Sequence, residues 1–234
     1  MASKEELPKY LIKRLLDTIK NDPLASGALK SLIVENIIAF SRESLGIELA
    51  GNDLDSLEKE MLEKAEKNPL LFIAVTYAVP KSEKMIAGNV GPLTRELFRT
   101  QSQALIGDTL KEYIMKVYGG SHLKQLEELK KSSKYDDILR AIVEAIEDLG
   151  LVVPGSIEIE KIDEKEIKVH IDPCTFAPLS LKLMQEGITN IFGEHFCAFG
   201  SFMGILLGLL GEKTVDFEPI ELSPPTCSFK LKIL

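Results

Sequence analysis

The segment FCAFGSFMGILLGLLG (residues 196–211), named here the glycine-striped segment, is apolar throughout and repeats glycine at every fourth position. At 100° per residue, Gly200, Gly204 and Gly208 share one ridge of a helix, and the large side chains lie on roughly the opposite side. A helix that is apolar all round must be buried. We therefore predict a core helix whose glycine ridge lets a backbone or a ligand come close.

Patterns with a period of two flank this segment on both sides. Between residues 157 and 171, isoleucine and valine alternate with charged residues, and the same alternation recurs in 215–218 and 227–233. Such patterns predict two hairpins that place one apolar face on the core and one charged face in solvent, as antiparallel sheets do. Ile157 and Ile159 are expected on the apolar face.

The chain before Gly150 has the 3.6-residue periodicity of helices. Clear examples are residues 27–45 and 135–149, and the apolar run 70–79 is assigned to helix in preference to strand because its neighbours are helical. The predicted fold class is α+β: a helical N-terminal part, then a four-stranded antiparallel sheet with helices packed on one face. We divide the chain into a helical region, 1–134, either separate or integrated with the rest, and an α+β domain, 135–234.

Composition restricts the classes of partner. A net charge of −8 and a pI near 5.1 argue against nucleic acid, whose binding depends on neutralising phosphates. The uncharged stretch 196–210 is shorter than the roughly 20 residues that cross a bilayer. No apolar export signal opens the chain, so we expect a cytoplasmic protein with no transmembrane segment. The dominance of Lys and Glu and the lack of Trp are frequent in proteins of heat-adapted organisms.

Motifs of known catalytic chemistry are missing from the sequence. Neither a GxSxG elbow nor an HExxH helix occurs. Residues 88–92 (GNVGP) lack the Lys-Ser/Thr pair with which a P-loop holds phosphate, and we predict an ordinary turn there. We expect a protein without enzymatic activity.

Four soft ligands lie in the C-terminal part: Cys174, His195, Cys197 and Cys227. Thiolates and imidazole are the donors of tetrahedral zinc sites, so zinc is the candidate cofactor. Two other interpretations stay open. The cysteines can be small buried hydrophobic residues, or two of them can form a disulfide or redox pair.

The C-terminal part resembles a known family in four stretches: DDILRAIVEAIEDLGL (136–151), IEIEKIDEKEIKVHIDPC (157–174), CAFGSFMGILLGLLGE (197–212) and TCSFKLKIL (226–234). Residues 135–234 resemble the vinyl-4-reductase-type, hydrocarbon-binding domain, which is related in fold to the Bet3-like subunits of TRAPP vesicle-tethering complexes. The resemblance implies a small hydrophobic molecule held between helices and sheet, and cysteines that bind a metal. The segment ELSPPTC (221–227) departs from the family, because it lacks the glycine frequent before the last cysteine.

A pocket for such a molecule would be lined by aromatic and flexible apolar side chains. The candidates are Phe176, Phe192, Phe199, Phe202, Met203 and Leu206. We therefore expect a cytoplasmic, homodimeric binding or sensor protein for a small hydrophobic ligand. The alternatives are a metal-binding or redox protein that uses the Cys/His set, and a scaffold subunit without a ligand.

Overall fold

The computed structural model describes residues 7–105, 135–188, 200, 203, 204, 207, 214–223 and 225–234. The described residues belong to two compact units. The helical unit contains residues 7–105 and 182–188, and the sheet unit contains residues 135–181 and those from 200 onward. Our boundary after residue 134 falls at the edge of a stretch outside the described residues, so it stays a prediction.

The helical unit is built from α1 (Leu7–Asn21), α2 (Gly27–Leu45), α3 (Leu54–Lys64), α4 (Phe72–Ala87) and α5 (Pro92–Ser102). Polar side chains start two of these helices by accepting hydrogen bonds from free backbone amides. Ser26 accepts from the amide of Leu29 to cap α2, and Asp53 forms a capping box with Ser56 at the start of α3. The helix predicted over 27–45 is confirmed.

Helix α4 is the centre of the helical unit. All residues from Phe72 to Pro80 are buried, and α4 packs against α1, α2 and α5. The apolar run 70–79 is therefore helical as predicted, with a short 3₁₀ turn at Pro69–Leu71 leading into α4. Residues 88–91 form the expected connection between α4 and α5, Pro92 begins α5, and Gly88 has the left-handed φ of 76° that favours glycine.

The start of α5 is capped by a buried carboxylate from α4. Glu83 accepts hydrogen bonds from the amides of Gly91 (2.8 Å), Leu93 (3.0 Å) and Thr94 (3.1 Å), and from the Thr94 hydroxyl (2.6 Å). These amides have no partner within α5, because the first turn of a helix leaves its donors free. A negative charge at this end also complements the helix dipole.

Residues 182–188 are held in the helical unit by a polar cluster around Tyr77. The Tyr77 hydroxyl donates to the Glu186 carboxylate, which also pairs with Lys81 at 2.6 Å. Lys182 pairs with Glu43 at 2.8 Å and lies over the Tyr77 ring. Burial and the neighbouring Glu186 carboxylate raise the pKa of Tyr77 far above its usual range, so its hydroxyl remains a donor.

The sheet unit contains α6 (Tyr135–Asp148), the start of α7 (Ala177–Gln185), and strands β1 (Ile157–Lys161), β2 (Glu166–Ile171), β3 (Val215–Ser223) and β4 (Thr226–Ile233). The strands form one antiparallel sheet in the order β1-β2-β4-β3. Two hairpins thus meet through β2 and β4. The α+β class and the antiparallel sheet are as predicted, and the described residues contribute four strands to that sheet.

The apolar face of the sheet is buried on its central strands. Ile167, Val169 and Ile171 of β2 lie opposite Leu231, Phe229 and Cys227 of β4, and all six are buried. Strand β1 departs from the prediction of a fully buried apolar face. Ile159 lies opposite Val169 but is 38% exposed, because within the described residues β1 has a neighbouring strand on one side only.

No helix within the described ranges is both long and apolar enough to cross a membrane. Most of the uncharged stretch 196–210 lies outside those ranges.

Candidate functional site

Two of the predicted soft ligands meet at one end of the sheet. Cys227, the second residue of β4, lies opposite Ile171, the last residue of β2, and Cys174 follows three residues after Ile171. The Cys174 amide donates to the carbonyl of Pro225 at 2.6 Å, which holds the chain after β2 against the turn before β4. Sheet pairing therefore brings together two cysteines that are far apart in the sequence.

The two thiols are hydrogen-bonded to each other and are not joined in a disulfide. Both side chains are buried. The hydrogen bond from Cys227 is the largest cause of a lowered pKa at Cys174, and burial acts in the opposite direction. Cys174 is therefore the thiol of the pair that deprotonates more readily than an ordinary cysteine.

Backbone amides at the start of α7 add to this effect. The amides of Phe176 and Ala177 also lower the pKa of the Cys174 thiol, and the Ala177 amide donates to the Cys174 carbonyl at 3.1 Å. Amides in the first turn of a helix lack partners within the helix and favour a negative charge. The sequence patterns did not predict that the start of α7 lies beside the Cys174 thiol. A signal for it exists in the sequence, because Pro178 in the first turn of α7 is typical of a helix that begins just after Cys174.

The remaining members of the predicted metal set, His195 and Cys197, lie outside the described residues. Within the part of the chain that the structure describes, no three His, Cys, Asp or Glu side chains come together as metal ligands. The structure thus describes one half of a four-ligand set, the Cys174–Cys227 pair, and the other half stays a prediction.

The residues predicted to line an apolar pocket are described only in part. Phe176 and Met203 are buried in the sheet unit. Phe192, Phe199, Phe202 and Leu206 lie outside the described residues. A pocket bounded by these six side chains therefore stays a prediction.

The glycine ridge contacts the sheet. Gly200, Met203, Gly204 and Leu207 are helical, and a Cβ on Gly200 would overlap the ring of Phe217 on β3. A Cβ on Gly204 would lie 3.5 Å from Cδ2 of Leu231, an ordinary van der Waals contact. At Gly200 the close approach that the sequence predicts is made by a side chain of the protein itself. The contact leaves no room for a ligand at that point.

Comparisons with known proteins identify no relative: no family model, curated protein or solved structure matches this chain.

Proposed function

We propose that this protein binds a thiophilic metal ion through Cys174 and Cys227. One observation carries the proposal: the fold brings two buried thiols that form no disulfide into hydrogen-bonding contact and lowers the pKa of Cys174. Metal ligation requires thiolates, and a lowered pKa makes the Cys174 thiolate easier to form than that of an ordinary cysteine. A divalent cation also offsets the cost of burying negative sulfur.

Zinc fits this donor set best, because thiolate and imidazole are its usual ligands in structural sites. The described thiols supply two of the four ligands of a tetrahedral site. His195 and Cys197 are the proposed remaining ligands, which makes a Cys₃His set. Zinc bound in this way would link β2, β4 and the start of α7, and it would supply binding energy to the fold.

Metal analysis of the purified full-length protein tests the proposal. We expect about one zinc per chain by inductively coupled plasma mass spectrometry, and a large loss of zinc in Cys174→Ser and in Cys227→Ser. Ile171→Val is the matched control, since it trims a buried neighbour of Cys227 on β2 and keeps both thiols. This control should be modestly destabilised and retain its metal.

Counting thiols in denaturant separates the alternatives. Three free thiols without metal would leave the cysteines as small hydrophobic core residues and reject the proposal. A single free thiol would indicate one disulfide among the three cysteines and favour the redox alternative over metal binding.

A second candidate function is the binding of a small hydrophobic molecule in the sheet unit. It is favoured by the burial of Phe176 and Met203 and by the contact of Gly200 with the sheet. In the helix that the sequence predicts for this segment, Phe199, Phe202 and Leu206 fall on the side opposite the glycine ridge. An apolar ligand would lie on that opposite side. The relationship to the vinyl-4-reductase-type domain is part of this proposal.

Native mass spectrometry distinguishes the two functions in one experiment. Excess mass of a few hundred daltons that is lost on denaturation supports the hydrophobic ligand, whereas excess mass equal to zinc supports the metal site. The same spectrum tests the proposed homodimer. The proposal also includes a cytoplasmic location and a heat-adapted source organism. A high midpoint of thermal unfolding would support the heat-adapted source.

A further inference from the structure

The two edges of the sheet differ in how well they resist pairing with another strand. The outer strand β3 contains Pro219, which has no amide hydrogen, and a register shift between Pro219 and Glu221. Prolines and bulges are devices that prevent edge strands from pairing. Strand β1, at the other side of the described sheet, has neither a proline nor a bulge; it is short and charged, and its five residues pair with β2 in continuous register.

The exposed side chains of β1 combine two kinds of surface. Ile159 is 38% exposed and shares its face with the exposed Lys161, and two further apolar residues next to β1 in the chain, Val153 and Ile162, are 46% and 47% exposed. Glu158 and Glu160 lie on the other face and are exposed. On the inner side of β1, Glu158 lies opposite His170 and Glu160 lies opposite Lys168, 3.6 Å from its ammonium.

A second copy of this chain is a poor partner for β1. Two β1 strands from two copies can pair antiparallel with their apolar faces on the same side of the sheet. The three registers of this kind that overlap the glutamates place Glu158 opposite Glu158, Glu160 opposite Glu160, or Glu158 opposite Glu160. Each of these registers places like charges directly opposite each other, which is destabilising. A shift by one residue would set isoleucine against glutamate and turn the apolar face of the second copy outward.

We propose that β1 is a docking edge for an extended segment of a partner protein in which basic residues alternate with apolar ones. The segment would add to the sheet as an additional strand, and its main chain would bond to the outer edge of β1, which pairs with no other strand in the part of the chain that the structure describes. Its basic side chains would lie beside Glu158 and Glu160, as His170 and Lys168 do on the inner side. Its apolar side chains would cover Ile159.

Fluorescence anisotropy with synthetic peptides tests this surface on the full chain. The probe is a labelled hexapeptide in which lysine alternates with valine, and the control replaces every lysine by glutamate. We expect the lysine peptide to bind at least about tenfold more tightly than the glutamate peptide. In the Glu158→Lys/Glu160→Lys variant the preference should reverse, because the charges on β1 are then positive.

A third peptide separates strand addition from simple charge attraction. It keeps the lysine–valine sequence but carries N-methyl groups on alternate amides, which blocks the backbone bonds on one side of the strand. We expect this peptide to lose binding. The unmodified peptide should slow hydrogen exchange at the amides of β1.

Several results would overturn the proposal. The proposal is rejected if the lysine and glutamate peptides bind with equal affinity, or if neither peptide binds. It is also rejected if the N-methylated peptide binds as tightly as the unmodified lysine peptide. Protection of β1 that rises with protein concentration in the absence of peptide would show instead that β1 pairs with a second copy.

Discussion

The ring of Phe217 on β3 occupies the space that a side chain at Gly200 would need. We expect Gly200→Ala to lower the free energy of unfolding by about 1–3 kcal/mol, because overpacking must displace the ring. Gly204→Ala is the matched control on the same ridge, since its nearest neighbour would be 3.5 Å away. It should be neutral or stabilising by up to about 1 kcal/mol, because alanine favours helix over glycine.

Urea unfolding of both variants decides this prediction. The double variant Gly200→Ala/Phe217→Leu should recover part of the loss, since leucine leaves more room than phenylalanine. Equal stability of Gly200→Ala and Gly204→Ala would contradict the contact.

The Glu83 carboxylate stabilises the start of α5. Glu83→Gln should cost about 2 kcal/mol, because a charged acceptor of four hydrogen bonds becomes a neutral amide that accepts through one oxygen only. Glu35→Gln, an exposed position on α2, should stay within about 0.5 kcal/mol of the wild type. Chemical denaturation followed by circular dichroism measures both. If Glu83→Gln and Glu35→Gln changed the free energy of unfolding by a similar small amount, the Glu83 cap of α5 would contribute little to stability.

Titration of Cys174 tests the electrostatics of the thiol pair. In metal-free protein with Cys197→Ser, the thiolate absorbance of Cys174 should appear below the ordinary cysteine pKa of 9.0. Cys227→Ala removes the hydrogen-bond donor that is the largest cause of the shift, so the pKa of Cys174 should rise. An unchanged titration curve in Cys227→Ala would assign the shift to the helix amides alone.

The same shift predicts how stability depends on pH. Because the pKa of Cys174 is lower in the folded than in the unfolded state, the unfolded state binds more protons between the two values. The contribution of Cys174 to stability should therefore grow as pH rises through this window, remain constant above the unfolded pKa, and vanish at lower pH. The difference in unfolding free energy between wild type and Cys174→Ala, measured across this range, gives the sign directly.

The raised pKa of Tyr77 predicts a loss of stability at high pH. The folded state keeps the Tyr77 proton, whereas unfolded tyrosine ionises near pH 10.0. The stabilisation from Tyr77 is thus complete below that pH and declines as pH rises above it. Tyr77→Phe should lose about 1 kcal/mol at neutral pH and then show a shallower alkaline decline than wild type.

Thr76→Val is a suitable control for Tyr77→Phe, because it removes a buried hydroxyl from the same helix without removing a titrating group. Its cost should be independent of pH. Parallel alkaline profiles of wild type and Tyr77→Phe would refute the assignment.

Most helices and strands follow from local patterns in the sequence. The limits of α2 coincide with the predicted range 27–45, because Ser26 can cap the helix and Gly46 can take the left-handed conformation that ends it. The strands follow from alternation, but the exposure of Ile159 does not. Alternation determines which face a side chain occupies, and only the strand order shows that β1 lies at an edge.

The sequence by itself determined the α+β class, the position of the turns and the apolar stripe of the glycine-striped segment, because these depend on residues close together in the chain. Tertiary structure alone decided that Cys174 meets Cys227 and that Gly200 meets Phe217. Both contacts depend on the pairing order of strands and on the approach of a helix to them. No periodicity within a single segment carries that information, since it arises when distant segments bury their apolar faces together.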